Sequence, residues 1–183
     1  MNALVPVDKK LPAIEAGTGE GQQFLTFTLG GEMFAIEILN IKEIIEYGSL
    51  TTVPMMPEFI RGVINLRGSV VPVVDLTVRF GRQTTPVTKR TCIVIIEIES
   101  DGDKQDVGVV VDTVNEVLEI PRTEIEQAPS FGARIRADFI SGMGKIAGKF
   151  VVILNVNHVL SIDEMAILGQ VGGADPEMMA LPA

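Results

Sequence analysis

The strongest constraint on this chain is that it carries one pattern twice. Phe34-Ala35-Ile36-Glu37-Ile38, leading to Ile41, Glu43, Ile44 and Ile45, returns as Val107-Gly108-Val109-Val110-Val111, leading to Val114, Glu116, Val117 and Leu118, at a constant offset of 73. After a short insertion Phe59-Ile60-Arg61-Gly62 returns as Phe139-Ile140-Ser141-Gly142, and the offset of 80 holds from Gly68-Ser69-Val70-Val71-Pro72-Val73-Val74-Asp75 to Gly148-Lys149-Phe150-Val151-Val152-Ile153-Leu154-Asn155. Apolar residues that repeat in phase, with glycines in step, imply two copies of one supersecondary unit.

The copies diverge most between their matched glycines. The first reads Gly62-Val63-Ile64-Asn65-Leu66-Arg67-Gly68 and the second Gly142-Met143-Gly144-Lys145-Ile146-Ala147-Gly148. The first therefore places an amide and a guanidinium where the second is content with small residues. A guanidinium fork suits carboxylate or carbonyl recognition, although a solvated arginine on a hairpin is the plainer reading of the turn alone. Glycines retained while their neighbours change mark Gly62 and Gly68 as structural turn positions whose backbone a Cβ would obstruct.

A chain of 183 residues, 46% hydrophobic and 21% charged, is long and apolar enough to fold around a sizeable core. No apolar run approaches the length of a bilayer span, and Pro6 interrupts any signal-peptide core, so a soluble cytoplasmic protein is expected. The lone Cys92, among Ile93 to Ile96, reads as an inert strand residue. With one cysteine and one histidine, no zinc site of the Cys/His type can be assembled. A net charge of −9 opposes nucleic-acid binding, which depends on neutralising phosphates.

Residues 1–20 and 169–183, rich in Pro, Gly and small residues, read as flexible tails around a single domain at 21–168. The first repeat runs from about 24 to 80 and the second from about 91 to 160. Most of the pattern is β: Phe24 to Leu29 and Met33 to Ile38 form one hairpin, and Cys92 to Ile98 and Val107 to Val111 the matching one. Lys42 to Tyr47, Asn115 to Ile120, Val70 to Val78 and Phe150 to Val156 are further strands. Pro72 belongs at an edge or bulge, Pro57 starts one helical turn, and Ser161 with Glu164 caps a C-terminal helix. About five strands per copy suit a small SH3- or OB-like barrel, and the expected architecture is two such barrels side by side.

Catalytic constellations fail one by one. His158, the one imidazole, sits at a helix boundary without a nucleophile partner. Gly142 to Lys149 lacks both the spacing of a phosphate loop and its following Ser or Thr. Asp101 to Asp106 lacks the closing Glu of a calcium loop. The expectation is a binding module without enzyme activity or cofactor.

The stretch Phe59-Ile60-Arg61-Gly62-Val63-Ile64-Asn65-Leu66-Arg67-Gly68-Ser69-Val70-Val71-Pro72-Val73-Val74-Asp75-Leu76 resembles the CheW family of chemotaxis coupling proteins, and the resemblance runs from about Gln22 to Leu168. It implies two intertwined five-stranded barrels, and an adaptor that bridges the cytoplasmic tip of methyl-accepting chemoreceptors to the histidine kinase CheA in membrane-associated arrays. It also implies receptor contacts at Ile41, Glu43, Ile44 and Arg67, with Asn65 in the same turn, and a kinase contact at Phe131. The spacing of Ile41 and Ile44 suits a core as well as a groove. A bridging role implies a protein that is largely monomeric by itself. A CheW-like module of a related non-motility pathway, or a free-standing kinase regulatory domain, would share the fold.

Overall fold

The computed structural model describes residues 21–100, 102–127 and 137–161. The expected tails, the helix after Ser161 and Phe131 lie outside them. Eleven strands are present among the described residues: β1 (Gly21–Leu29), β2 (Glu32–Glu37), β3 (Ile41–Glu46), β4 (Ile60–Leu66), β5 (Ser69–Asp75), β6 (Cys92–Ser100), β7 (Asp103–Val111), β8 (Thr113–Pro121), β9 (Ile125–Glu126), β10 (Ile140–Ile146) and β11 (Lys149–Leu154). Two single-turn helices, α1 (Leu76–Arg79) and α2 (Val156–Val159), follow β5 and β11. No helix among the described residues is long and apolar enough to cross a membrane.

The strands form two sheets, ordered β8-β1-β2-β11-β10-β9 and β3-β6-β7-β5-β4. The two repeats exchange strands. In the first sheet β1 and β2 of the first repeat pair with β8 and β11 of the second, and in the other sheet β6 and β7 of the second repeat pair with β3 and β5 of the first. Each junction between β2 and β11, or between β7 and β5, is parallel, and all other pairs are antiparallel. The two halves are thus intertwined, and neither could form its sheet without the other.

Side-chain alternation explains the layering. On β6, Ile93 and Ile95 join Val71, Val73 and Val110 in a cluster belonging to that sheet, while Val94, Ile96 and Ile98 turn to a large core shared by both sheets. On β1 and β2, Phe24 and Ala35 face the other sheet's own cluster, and Leu25, Phe27, Phe34 and Ile36 the shared core. Each sheet has a cluster of its own: Ile45 on edge strand β3 and Ile64 and Leu66 on the opposite edge strand β4 pack against the same one. This matches the expected SH3-like architecture, with six strands rather than five in one sheet because of the short β9.

The shared core is crossed by stacked and tilted rings, Phe27–Phe34 at 6.1 Å, Phe34–Phe80 at 5.5 Å and Phe80–Phe139 at 6.3 Å between centroids. Arg79 of α1 lies between Phe59 and Phe139, 4.9 and 4.7 Å from their centroids, and its Nε donates to the Val159 carbonyl at 2.9 Å. Those two phenylalanines are repeat-matched, so Arg79 clasps equivalent points of the two halves.

Three local expectations are corrected. The strand expected over Val70 to Val78 stops at Asp75, whose Oδ1 accepts from the Thr77 and Val78 amides and so starts α1; Asn155 ends β11 likewise, its Oδ1 accepting from the His158 amide. Residues after Pro57 form a hydrogen-bonded turn, Ile60 N to Pro57 O at 3.0 Å, rather than a helical turn. Pro72 is on a strand flanked by β4 and β7, but pairing to β7 begins only at Val73, which leaves the missing donor without a role to fill.

Candidate protein-binding site

The site begins with two backbone irregularities. A bulge at Lys42 lets Ile41 oppose Ile96 and Glu43 oppose Ile95, so Ile41 and Ile44 share the face toward the common core while Glu43 is on the other. Ile44 is 5% exposed and belongs to that core. The side chain of Ile44, expected at a receptor contact, is inside, and Ile41 is half-buried against the same cluster. The apolar residue presented to solvent nearby in sequence is Leu39 at 86% exposure.

The second irregularity is the tight turn between β4 and β5. Arg67 and Gly68 both have positive φ, 52° and 90°, the type I′ geometry whose twist matches a hairpin. Asn65 Oδ1 accepts from the Gly68 amide at 2.9 Å, so the amide read as a recognition group braces the turn. The guanidinium of Arg67 donates to the carboxylate of Glu43, tying the β4–β5 turn to edge strand β3. That hydrogen bond, with the Glu43 charge, raises the pKa of Arg67 further above its ordinary value. The Arg67 side chain is nevertheless 69% exposed, and an ion pair screened by solvent in this way adds little to stability. Burial of a single core side chain contributes about 1.5–3 kcal/mol. The pair is therefore a poor explanation of stability and a good one of a positioned, charged surface.

Gly62 and Gly68 prove to be constrained differently. A Cβ on Gly62, φ +155°, would stand 2.6 Å from the Thr51 carbonyl oxygen, where Thr51 and Val63 exchange hydrogen bonds of 3.0 and 2.9 Å. A Cβ on Gly68 would meet nothing within 4 Å, so its constraint is the positive φ alone.

Sequence reasoning passed over a part-buried polar network at the other end of this hairpin. Arg61 donates from Nε to Asp75 Oδ2 at 3.0 Å, from Nη1 to the Tyr47 hydroxyl at 2.9 Å and from Nη2 to Thr84 Oγ1 at 2.7 Å. Thr84 in turn donates to Asp75 Oδ2 at 2.6 Å. Burial pushes the Asp75 carboxyl up, but the hydrogen bonds from Thr77, Thr84 and Arg61, with the Arg61 charge, together outweigh it and hold the pKa below the usual carboxylate range. A signal was available: Arg61 and Asp75 are matched in the second repeat by Ser141 and Asn155, so both partners of the ion pair vanish together.

The remaining chemistry-bearing residues, among those described, make no catalytic set. Cys92 is half-buried, with its thiol pKa pushed up by burial and by the Glu46 charge. His158 donates from Nδ1 to the Asp138 carbonyl at 2.9 Å. Among the described residues no group of His, Cys, Asp and Glu is placed to hold a metal ion.

The family model of the CheW-like domain matches residues 23–164. The chain belongs to the CheW family. The chemotaxis protein CheW of Klebsiella aerogenes is 35% identical over 85% of this chain and 92% of its own length. CheW of Helicobacter pylori is 33% identical over 77% and 82%, and the protein FrzA of Myxococcus xanthus 29% identical over 81% and 91%. Among solved structures, the scaffolding protein TtCheW of Thermoanaerobacter tengcongensis superposes with a TM-score of 0.71 at 33% identity, covering 80% of this chain and 92% of that one. These relatives agree with the reading of the CheW-like chain as a chemotaxis scaffold.

Proposed function

We propose that this protein is a non-catalytic cytoplasmic adaptor that couples chemoreceptor tips to the histidine kinase CheA. The observation that carries the reading is the Glu43–Arg67 pair: an exposed guanidinium held in a defined place by an edge strand and a left-handed turn, where the second repeat has only Ala147. Charge sets register on such a surface, and half-buried Ile41 with exposed Leu39 supplies apolar area beside it on the chain. The kinase contact is assigned to Phe131, far in sequence from the receptor contacts, so that both partners are held at once by an adaptor monomeric when alone.

Co-sedimentation of the protein with a receptor signalling fragment and CheA tests this. Arg67→Glu is expected to lower receptor recovery at least tenfold while kinase binding persists, and Glu43→Arg with Arg67→Glu to restore part of it. Equal loss of both partners from a folded variant would refute two separate faces. The relative FrzA supports a second reading, a CheW-like module in a related pathway; the set of receptors that co-sediment discriminates the two.

A further inference from the structure

The two repeats end their matched strands in opposite ways. At the end of β5 the space beside Asp75 is filled by the chain's own Arg61, gripped by Asp75, Tyr47 and Thr84. At the end of β11 the matching positions are Asn155 and Ser141, and there the structure has an open cleft of about 270 Å³. Its walls include Ser141, Asn155 and Asn157, the residues matched to Arg61, Asp75 and Thr77, together with Glu37, Gln22 and Asn40.

The negative charge has moved one strand over rather than disappeared. Asp75 at the end of β5 is the parallel neighbour of Val110 on β7. In the other sheet the register Val152↔Phe34 and Ile153↔Ala35, continued two residues, sets Asn155 beside Glu37. Where one repeat has a carboxylate next to valine, the other has an amide next to a carboxylate. Glu37 accepts a hydrogen bond from Gln22 Nε2 and makes no ion pair among the described residues.

We propose that this cleft is a binding site for a guanidinium group brought by a ligand, seated where Arg61 sits in the other repeat. The fold shows, within the same molecule, that a guanidinium is accommodated at the end of this strand pair against a carboxylate and hydroxyl oxygens. The cleft is lined by a comparable set: Glu37 with its carboxylate, Ser141 with its hydroxyl, and Asn40 and Asn155 with amide oxygens able to accept. Its volume is below the about 300–1,000 Å³ of drug-sized pockets and suits one extended side chain. The net charge of −9 favours a cationic visitor. The inference is independent of the coupling role.

Ethylguanidinium is the probe, titrated into the full chain labelled with nitrogen-15, with neutral ethylurea as the control of equal shape. Saturable amide shifts confined to the surroundings of Glu37, Ser141 and Asn155, absent with ethylurea, are expected. Glu37→Gln should weaken binding about tenfold or more, the loss of a charge-assisted contact. Ser141→Arg should abolish it by filling the cleft as Arg61 does, while Ser141→Ala should retain most of it. Free L-arginine and a blocked arginine tripeptide serve as further arms: tighter binding of the former supports the site and names a small molecule as its source, and of the latter a protein side chain. No shifts, equal shifts with ethylurea, or a Glu37→Gln variant that binds like the parent would each overturn the proposal, whether or not Ser141→Arg folds.

Discussion

The β4–β5 and β10–β11 hairpins have the same backbone and opposite chemistry. Arg67 and Ala147 adopt nearly the same left-handed φ, 52° and 51°, and Gly68 and Gly148 follow at 90° and 82°. Each hairpin carries a bulge before its glycine, at Ile60/Gly62 and Ile140/Gly142. Yet the first presents Arg67 to Glu43 and buries Arg61 against Asp75, whereas the second has Ala147, Ser141 and Asn155. Geometry therefore belongs to the fold, and the charges are additions made to one copy. The left-handed strain is common to both turns, so it is the guanidinium of Arg67, not its backbone, that marks a functional surface.

The largest test converts the first repeat toward the second. Asp75→Asn leaves a mostly buried Arg61 without its carboxylate and is expected to cost about 2–3 kcal/mol, below the about 3–5 kcal/mol of a fully buried broken pair because the Arg61 side chain is 21% exposed. The double variant Arg61→Ser with Asp75→Asn, which writes the second repeat's residues into the first, should recover more than half of that. Urea denaturation measures both; additive losses would show that the pair is not a unit.

Next, the two glycines of the first hairpin should separate. Gly62→Ala forces a Cβ into the Thr51 carbonyl and should lose roughly 2 kcal/mol or more, while Gly68→Ala carries only the left-handed penalty of about 1 kcal/mol. Equal losses would mean that the Thr51–Val63 bridge yields without cost.

A smaller difference should appear on acidification. The folded state holds Asp75 below its ordinary value of 3.8, so near and below that pH the unfolded chain binds more protons at this site than the folded one. Its contribution is complete above that value and is lost as pH falls through the lower folded pKa. Melting curves of the parent should thus fall more steeply below about pH 4 than those of the Arg61→Ser, Asp75→Asn double variant. Parallel curves would contradict the linkage.

The smallest expected effect is at the turn itself. Arg67→Asn, a residue suited to type I′ geometry, should leave stability unchanged or raise it by up to about 0.5–1 kcal/mol while removing receptor binding. Ala147→Asn should give a similar gain with receptor binding intact. Destabilisation by Arg67→Asn beyond about 1 kcal/mol would make the Glu43 pair structural.

Much of this was legible along the chain. The offsets of 73 and 80 announced equivalent strands, and strands from the first repeat stand in one sheet where their counterparts from the second stand in the other. Val109, Val110 and Val111 identified β structure through their branching, because a pleated, doubly covered strand accommodates what a helix crowds. Gly68 and Gly148 disclosed turns, since positive φ is cheap only without a Cβ.

Other features were decided in three dimensions. Valine-rich content alone carried the expected strand to Val78, but a side-chain carboxylate at Asp75 captured two amides and turned the chain into α1, a competition that composition cannot weigh. Ile41 and Ile44 read equally as groove or core; the Lys42 bulge put them on the face that the other sheet covers. The grip on Arg61 joins residues from Tyr47 to Thr84, and Glu37 reaches Asn155 only because β2 and β11, from different repeats, pair in parallel. Periodicity along a chain reports which faces of a strand are apolar, because alternation is a local property. Which strand lies beside it is set by burying both repeats' apolar faces in one shared core, and that choice exists only when the whole chain is folded.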